Sequence, residues 1–459
     1  MTDASPSSFA DDTRYQRVLL GIIMLAVTAF GTLMTLVTVS LDTMAEDLGS
    51  SRATVTWTIS GLMLTMAVFT PLAGSLGDIW GHRKVLLAGL LGGAVTTALC
   101  GLAWDALSLI GFRVLFGIFA AAVNPNALSL MMHAYGPERR STAVGWFQFA
   151  VTGAPTLGLI VGGPLIDWLG WRSIFFMFGA FSGMAFLVGM AWLRPIPRAE
   201  GRPLDLGGAF SLGFGVLGIL VAVTRFASGG PLDPLGLVAL AGGAACLFGF
   251  VTIERRLDVP MLKLEYFRRR NFTLPLVAGA AIQFAYMGGF VITPSLLQNK
   301  YLWSVGASAL LMMPRPGVFS LASPVGGWLP GRIGYRLPIG LGALSMIVSM
   351  AMFAIASPMT DGLGIALVVV ALALTGLAAG ISQPAIGALT VDSVDEQDMG
   401  IANGMNQQVT FVGIVGGIQT MSVLLGDDPS GGRFATTYLV GLGVAAIGML
   451  TAFVIREPR

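Results

Sequence analysis

Apolar residues fall along this chain in runs of about 20 separated by short polar breaks, the length that crosses a hydrocarbon core of roughly 30 Å. Taken from break to break, the runs predict spanning helices at 18–41, 54–76, 83–103, 107–131, 142–167, 172–193, 205–226, 234–253, 272–298, 305–329, 337–357, 362–390, 400–425 and 435–455. That makes fourteen spans, and an all-α polytopic membrane protein.

The breaks themselves repeat. In TPLAGSLGDIWGHRKV (70–85), Pro71, Gly74, Leu76, Gly81 and Arg83 return 253 residues later as Pro324, Gly327, Leu329, Gly334 and Arg336, with no gap between them. Six helices with their loops occupy only about 180 residues here, so the offset leaves room for two more helices between the halves. The expected order is a polar tail (1–16), a six-helix bundle (17–193), a linker (194–204), two additional helices (205–254), an interfacial segment (255–270) and a second, pseudo-symmetric six-helix bundle (271–459). Three prolines in RPIPRAEGRP keep the linker from continuing as helix.

Composition narrows the class. Charged residues are 11%, against about 25% in a soluble domain, and mean hydropathy is +0.79. No stretch has room for a soluble catalytic or nucleic-acid-binding domain. The two cysteines, Cys100 and Cys246, lie inside apolar runs, which implies neither a disulfide framework nor a metal site. No His or paired carboxylate falls within a span, and the two cysteines there stand alone, so an enzyme is not expected, nor a cofactor beyond a proton gradient. The polar start, with Asp3, Asp11 and Asp12, differs from a cleavable signal peptide and makes the first span an uncleaved anchor. With the N-terminus inside, 19 basic residues fall on the cytoplasmic side and only Arg52, Arg172, Arg225, Lys300 and Arg433 outside. The excess of Lys and Arg on one side puts both termini in the cytoplasm. The segment ERRLDVPMLKLEYFRRR (254–270) reads either as an interfacial stretch meeting lipid headgroups or as a solvated loop.

The motif GSLGDIWGHRK resembles the signature between the second and third helices of the major facilitator superfamily, and fourteen helices resemble its drug/proton antiporter branch. The order of other features is similar too: an arginine in the fourth helix (LIGFRVLFGIFAAA), a Gly-rich fifth helix ending in GWR at 170–172, and the segment from Glu254 before the ninth. The resemblance implies a monomeric secondary exporter of amphipathic organic compounds in the cell (inner) membrane, driven by proton antiport, whose two bundles rock about a central site. In it, Gly74, Asp78, Gly81, Arg83 and Lys84 form the gating motif, and Asp78 faces the start of the interface helix near Gly400. A carboxylate there would meet the positive end of a helix dipole. Capping of the third helix, or pairing with Arg83, are the other readings of Asp78. The acidic loop DSVDEQDMG (392–400), with Asp392, Asp395, Glu396 and Asp398, is expected either to latch onto Arg83 and Lys84 or to stand solvated.

Charges inside a span point to function by default. Arg113 shares a helix face with Gly117, Ala120 and Asn124, while Arg315 stands between Pro314 and Pro316, which leave carbonyls free for its guanidinium. The resembling branch has an aspartate in the first helix nine residues before a proline; here those positions are Leu33 and Asp42. Asp42 ends a stripe of Thr28, Thr32, Thr35 and Val39. It is expected either to pair with Arg113 as the proton-coupling element or to be an interfacial acid ahead of Glu46 and Asp47.

In the fifth helix Gly145, Gly153, Gly158, Gly162 and Gly163 suit close packing against the tenth, although Leu159 stands where the branch carries proline. Thr35, Asn124, Gln283, Tyr286, Phe290, Thr293, Arg315, Gln383, Asn403, Gln407 and Thr410 are candidates to line a cavity or to join helices. Two alternatives stay open: an exporter or flippase of lipid-like or anionic amphiphiles without classical proton antiport, and a membrane sensor that transports nothing. Membrane lipids are the only other expected partners.

Overall fold

The computed structural model describes residues 13–135, 160, 162–196, 206–230, 232–256, 263–395, 399–426 and 431–456. The first bundle comprises α1 (Thr13–Val39), the short α2 (Leu41–Asp47), α3 (Arg52–Trp80), α4 (His82–Gly101), α5 (Ala106–Ala121), α6 (Val123–Tyr135) and α7 (Arg172–Trp192). An inserted hairpin follows, α8 (Leu206–Gly229) and α9 (Pro234–Glu254). The second bundle comprises α10 (Arg270–Lys300), α11 (Val305–Leu311), α12 (Pro314–Trp328), α13 (Pro330–Ile333), α14 (Arg336–Ala356), α15 (Gly362–Asp392), α16 (Met399–Leu425) and α17 (Gly431–Val454).

Among the described residues twelve helices are long and apolar enough to cross a membrane. Two of the fourteen expected spans account for the difference. The span at 205–226 is helical as α8, with its apolar part confined to Phe210–Phe226. The span at 142–167 lies outside the described residues apart from its last turns.

The duplication seen in the sequence reappears as packing. In the first bundle α3 packs on α5, α4 on α5 and α7, and α1 on α7; in the second, α12 packs on α15, α14 on α15 and α17, and α10 on α17. Each bundle turns at its motif glycine, Gly81 with φ +98° and Gly334 with φ +78°. An L side chain at either position would meet its own carbonyl, which is why glycine recurs there. These two turns define one end of the molecule, called the motif end below.

Two expected helices are broken. The fourth span divides at Ala122, between α5 and α6, where Pro125 cannot sit in a continuing helix without striking the carbonyl four residues back. The tenth divides at Met312–Met313 ahead of Pro314 and Pro316. At the end opposite the motif, Gly170 (φ +77°) turns the chain into α7. There Trp171 Nε1 donates to Asp47 Oδ2 at 3.1 Å, Arg172 also pairs with Asp47, and Arg172 Nη2 donates to the Ala103 carbonyl. The Arg172 hydrogen bond holds the Asp47 carboxyl below the usual carboxylate range.

The inserted hairpin is more than a lipid-facing spacer between the bundles. Its α8 packs against both α3 and α16, the helices that face each other across the two bundles. Gln419 of α16 ties the three together: its Oε1 accepts from Ser60 Oγ at 3.1 Å and its Nε2 donates to Thr224 Oγ1 at 2.9 Å.

Candidate functional site

Among the described residues Arg52, Arg113 and Arg315 are buried, and Arg113 and Arg315 lie deep within their spans. Arg113, on α5, is 0% exposed. Its Nε donates to the Thr58 carbonyl at 3.2 Å, its Cζ stands 5.3 Å from the Phe116 ring centroid, and Nη1 and Nη2 have no partner among the described residues. Phe116 in turn stacks on Phe30 of α1. Of the face expected around Arg113, Gly117 and Ala120 are buried beside it, whereas the break at Ala122 carries Asn124 to an exposed position and turns Asn126 inward instead.

Arg315 is 4% exposed at the start of α12. The freed carbonyls of its own broken helix are not its partners; it reaches to α10, where Nη2 donates to the Tyr286 carbonyl at 3.2 Å and lies 3.4 Å from Met287 Sδ. Its Cζ sits 3.6 Å from the Tyr286 ring centroid and 3.8 Å from that of Phe290. A cation held over two aromatic faces in a desolvated place gains about 2 kcal/mol from each. Gln283 Oε1 on α10 and Gln383 Nε2 on α15 are among the further buried polar atoms without a partner among the described residues. Thr293 donates to the Gly289 carbonyl and shares a 3.0 Å bond with Tyr438 Oη, so it is interhelical glue.

Gly376 of α15 brings its backbone against that of Arg315: a methyl group added there would lie 2.2 Å from the Arg315 carbonyl oxygen. Gly376→Ala is expected to push α12 and its guanidinium off the two rings, at a cost of ~1–3 kcal/mol. A lower unfolding temperature in detergent, with reduced transport, checks this.

Asp42 does not pair with Arg113. Helix α1 ends at Val39, so the expected stripe is interrupted at Ser40, and Asp42 belongs to α2. Its Oδ1 accepts from Arg52 Nε at 2.5 Å and its Oδ2 from Asn299 Nδ2 of α10 at 3.1 Å. Arg52, counted in the sequence among the exposed basic residues of the outer side, has a side chain only 6% exposed. Its Nη2 donates to the Val291 carbonyl across the bundle interface at 2.8 Å. Close by, Gln298 Nε2 donates to the Val39 carbonyl, and Asp167 accepts from Ser304 Oγ and the Gly306 amide. Thr35 is buried beside this region and bonded to the Gly31 carbonyl.

Among the described residues the bundles are also joined by Ser60–Gln419 and, farther toward the motif end, by Gln408 Nε2 to the Ala67 carbonyl at 2.8 Å. Beyond Ala67 and Gln408 no hydrogen bond between described residues joins the bundles. Asn403 and Gln407 of α16 are exposed. Gln408, one residue and about 100° of helix away from Gln407, makes the contact that the sequence assigned to its neighbour.

At the motif end, Asp78 is paired with His82 and not with Arg83: Nε2 and Oδ1 are 3.2 Å apart. Arg83 donates to the Met190 carbonyl of α7. The latch expected between Arg83, Lys84 and the acidic loop is not formed by the described part of that loop. Asp392 accepts from Tyr335 Oη, while Asp395 accepts from Tyr266 Oη at 3.4 Å and lies 3.9 Å from Arg269. Glu396 and Asp398 lie outside the described residues, as do Gly145, Gly153 and Gly158. Gly74 approaches only Pro125, with room for a methyl group. Gly163 lies against Gly306 of α11, and Gly162 against Leu36 of α1, so the fifth span does pack closely on the tenth at this end.

A groove of about 550 Å³, lined by Phe69, Leu76, Trp80, Lys84 and Phe119 among others, opens on the flank of α3, α4 and α5. It is largely apolar and holds neither interior arginine, which suits acyl chains better than a polar cargo.

Comparison with known proteins agrees with this architecture. A profile of the Major Facilitator Superfamily matches residues 21–418. The chain is 29% identical over 416 residues to the tetracenomycin C resistance and export protein of Streptomyces glaucescens, covering 89% of this chain and 74% of that protein. It is 27% identical over 444 residues to the methylenomycin A resistance protein of Bacillus subtilis (strain 168), covering 94% and 92%. Among solved structures, a POT family transporter in complex with 5-aminolevulinic acid superposes with a TM-score of 0.73 at 13% identity, covering 97% of each chain. A bacterial homologue of the human lysosomal transporter Spinster, inward-facing and unoccupied, gives 0.68 at 17%, also covering 97% of each.

Proposed function

The chain belongs to the Major Facilitator Superfamily, and from that premise we propose that it exports amphipathic organic compounds by alternating access, with proton entry as the driving force. It is a transporter and not an enzyme. The observation that carries the mechanism is the placement of the bonds between the bundles: among the described residues all lie between Ala67–Gln408 and the end opposite the motif, which fastens that side. A rocking-bundle transporter needs such an asymmetry. The resistance and export functions in the names of the relatives support an outward direction.

In this reading the motif end faces the cytoplasm with both termini, the protein works as a monomer in the cell (inner) membrane, and the span at 142–167 with α8 completes a fourteen-helix drug/proton antiporter. The six-helix boundaries, 17–193 and 271–459, are the rocking units. No cofactor takes part beyond the proton gradient. Asp42 remains the proton-coupling candidate on the outer side, with Arg52 and not Arg113 as its partner.

A second reading has its own support. Among the described residues the charges deepest within the spans, Arg113 and Arg315, are cationic, and the acids, the buried Glu254 included, lie near helix ends, as Asp42, Asp78 and Asp392 do. An anionic or lipid-like cargo, moved without proton antiport, would meet complementary charge there. Proteoliposomes with an internal pH dye, challenged with cationic, neutral and anionic amphiphiles, separate the readings. Substrate-dependent proton movement that is lost in Asp42→Asn is the expected result. Transport of anions alone, without proton movement and unchanged in Asp42→Asn, would favour the second reading.

A further inference from the structure

We propose that a groove between α14 and α17 binds an anionic phospholipid of the leaflet at the motif end, with an acyl chain along the groove and the phosphate on Arg336. The site lies on the outer flank of the second bundle, apart from the interior arginines and from the bonds between the bundles. It requires only that these helices span a membrane, whatever the protein carries.

The shape is that of a chain. The groove holds about 410 Å³ and is lined by Arg336, Leu337, Leu341, Leu344, Met449 and Phe453 among others. Leu337, Leu341, Leu344 and Phe453 are exposed, so the surface they make faces away from the bundle. Arg336 opens α14 directly after the turn at Gly334. At ~1.5 Å per residue, the helix from Arg336 to Leu344 rises ~12 Å, most of one leaflet of a roughly 30 Å hydrocarbon core. Arg336 is the one charged residue of the lining, and it stands at one end of this run. Such a groove suits an amphiphile lying along the helices, with its charged group at the membrane surface.

The polar end decides the headgroup. Arg336 Cζ stands 5.5 Å from the Phe453 ring centroid, which holds the guanidinium at the mouth of the groove. One turn earlier, Arg332 Cζ lies 4.0 Å over the ring of the exposed Trp328, a residue type that marks the headgroup boundary. A guanidinium offers N–H donors in a planar fork that matches phosphate oxygens. No acid is among the described residues of the lining, so the amine of a zwitterionic lipid would meet cations and no carboxylate. Asp392 and Asp395, at the same end of the bundle, are engaged by Tyr335 and by Tyr266 with Arg269. Basic groups between spanning helices at a membrane surface hold anionic headgroups in this way.

The first bundle repeats the arrangement. Arg83, 253 residues before Arg336, also reaches the last helix of its own bundle, at the Met190 carbonyl of α7, and its Nε has no partner among the described residues. Lys84 beside it borders the apolar groove of α3, α4 and α5. In each half the repeated motif therefore sets a cation at the rim of an apolar flank.

Gly340 belongs to the lining, and a methyl group added there would meet nothing within 4 Å, so a larger side chain can fill the groove from within. Full-length protein in phosphatidylcholine nanodiscs, doped with a phosphatidylglycerol that carries a photoactivatable diazirine on one acyl chain, tests the site. Illumination is expected to label α14 and α17 around Leu341 and Met449. Added phosphatidylglycerol should displace the probe, while added phosphatidylethanolamine or inorganic phosphate should not. Arg336→Gln should lower the yield about fivefold, the worth of one surface arginine toward an anionic lipid. Gly340→Phe should abolish the labelling while the melting temperature in lipid-free detergent holds. Displacement by phosphatidylethanolamine as readily as by phosphatidylglycerol overturns the headgroup assignment. Label spread evenly over the lipid-facing helices, or a yield unchanged in both variants, overturns the site.

Discussion

Arg52→Ala is expected to open the outer side of the transporter, raising the fraction of molecules open to that side by ~10–100-fold. Arg52 joins three elements: its own helix α3, Asp42 of α2 through Nε, and the Val291 carbonyl of α10 through Nη2. Removing one partner of a largely buried ion pair costs ~3–5 kcal/mol. Part of that is lost from the outer contact between the bundles, and a two-state equilibrium moves about tenfold for each 1.4 kcal/mol. A membrane-impermeant thiol reagent applied from outside reads the change at Thr35→Cys, a position 8% exposed in the closed arrangement, with Cys100 and Cys246 replaced. Labelling should accelerate in Arg52→Ala and fall back partly in Arg52→Ala/Asp42→Ala, because the second change removes the uncompensated carboxylate. Unchanged labelling in Arg52→Ala would show that Gln298–Val39 and the Asp167 contacts hold the outer side without it.

Arg113→Met is expected to abolish transport while leaving the fold as stable as before, or more so. The guanidinium is 0% exposed, has one hydrogen bond to the Thr58 carbonyl, and keeps two nitrogens without partners among the described residues. A charge in mid-membrane costs ~3 kcal/mol or more, and one 5.3 Å contact with the Phe116 ring, worth ~1–2 kcal/mol, does not cover it. Replacing buried charge by apolar groups of similar volume is commonly neutral or stabilising by ~1–4 kcal/mol. Methionine fills similar space without the desolvation cost. The melting temperature in detergent should hold or rise as proteoliposome transport falls to background. A large fall in stability with transport retained would make Arg113 a structural residue.

Which features the sequence revealed follows from the range of the forces involved. The spans were legible because lipid requires each helix to close its own backbone hydrogen bonds over a fixed thickness. Turns at Gly81 and Gly334 were legible because positive φ excludes nearly every other residue. The breaks at Ala122 and Met312 were not read, since 107–131 and 305–329 were expected as continuous spans, although Pro125, Pro314 and Pro316 account for them. The Asp78–His82 pair was present as an i,i+4 spacing within the motif. The second partner of His82, Asn126, was hidden because the break before it changes the helix face, and periodicity carried past the break points to Asn124 instead.

The pairing of the charges was not legible. Helices apolar all round show no stripe to say which face meets which neighbour. That Asp42 meets Arg52 and not Arg113, that Arg315 crosses to Tyr286 and Phe290, and that Gln408 and not Gln407 touches α3 depend on helix rotations that the apolar pattern leaves free. The inserted hairpin shows the same division. An offset of 253 residues required two extra helices, yet only the packed structure sets α8 against the seam between α3 and α16, with Gln419 bridging Ser60 and Thr224.

By itself the sequence determined a duplicated bundle of spanning helices, its turns and the charges buried in it, because hydrocarbon thickness and backbone sterics act on each segment locally. Only the tertiary structure decided which charges meet and which end of the molecule is fastened. The fastening is set by contacts such as Arg52–Val291 and Ser60–Gln419 between segments hundreds of residues apart, and the charge pairing by the rotation of helices whose apolar surfaces are nearly equivalent until side chains interlock.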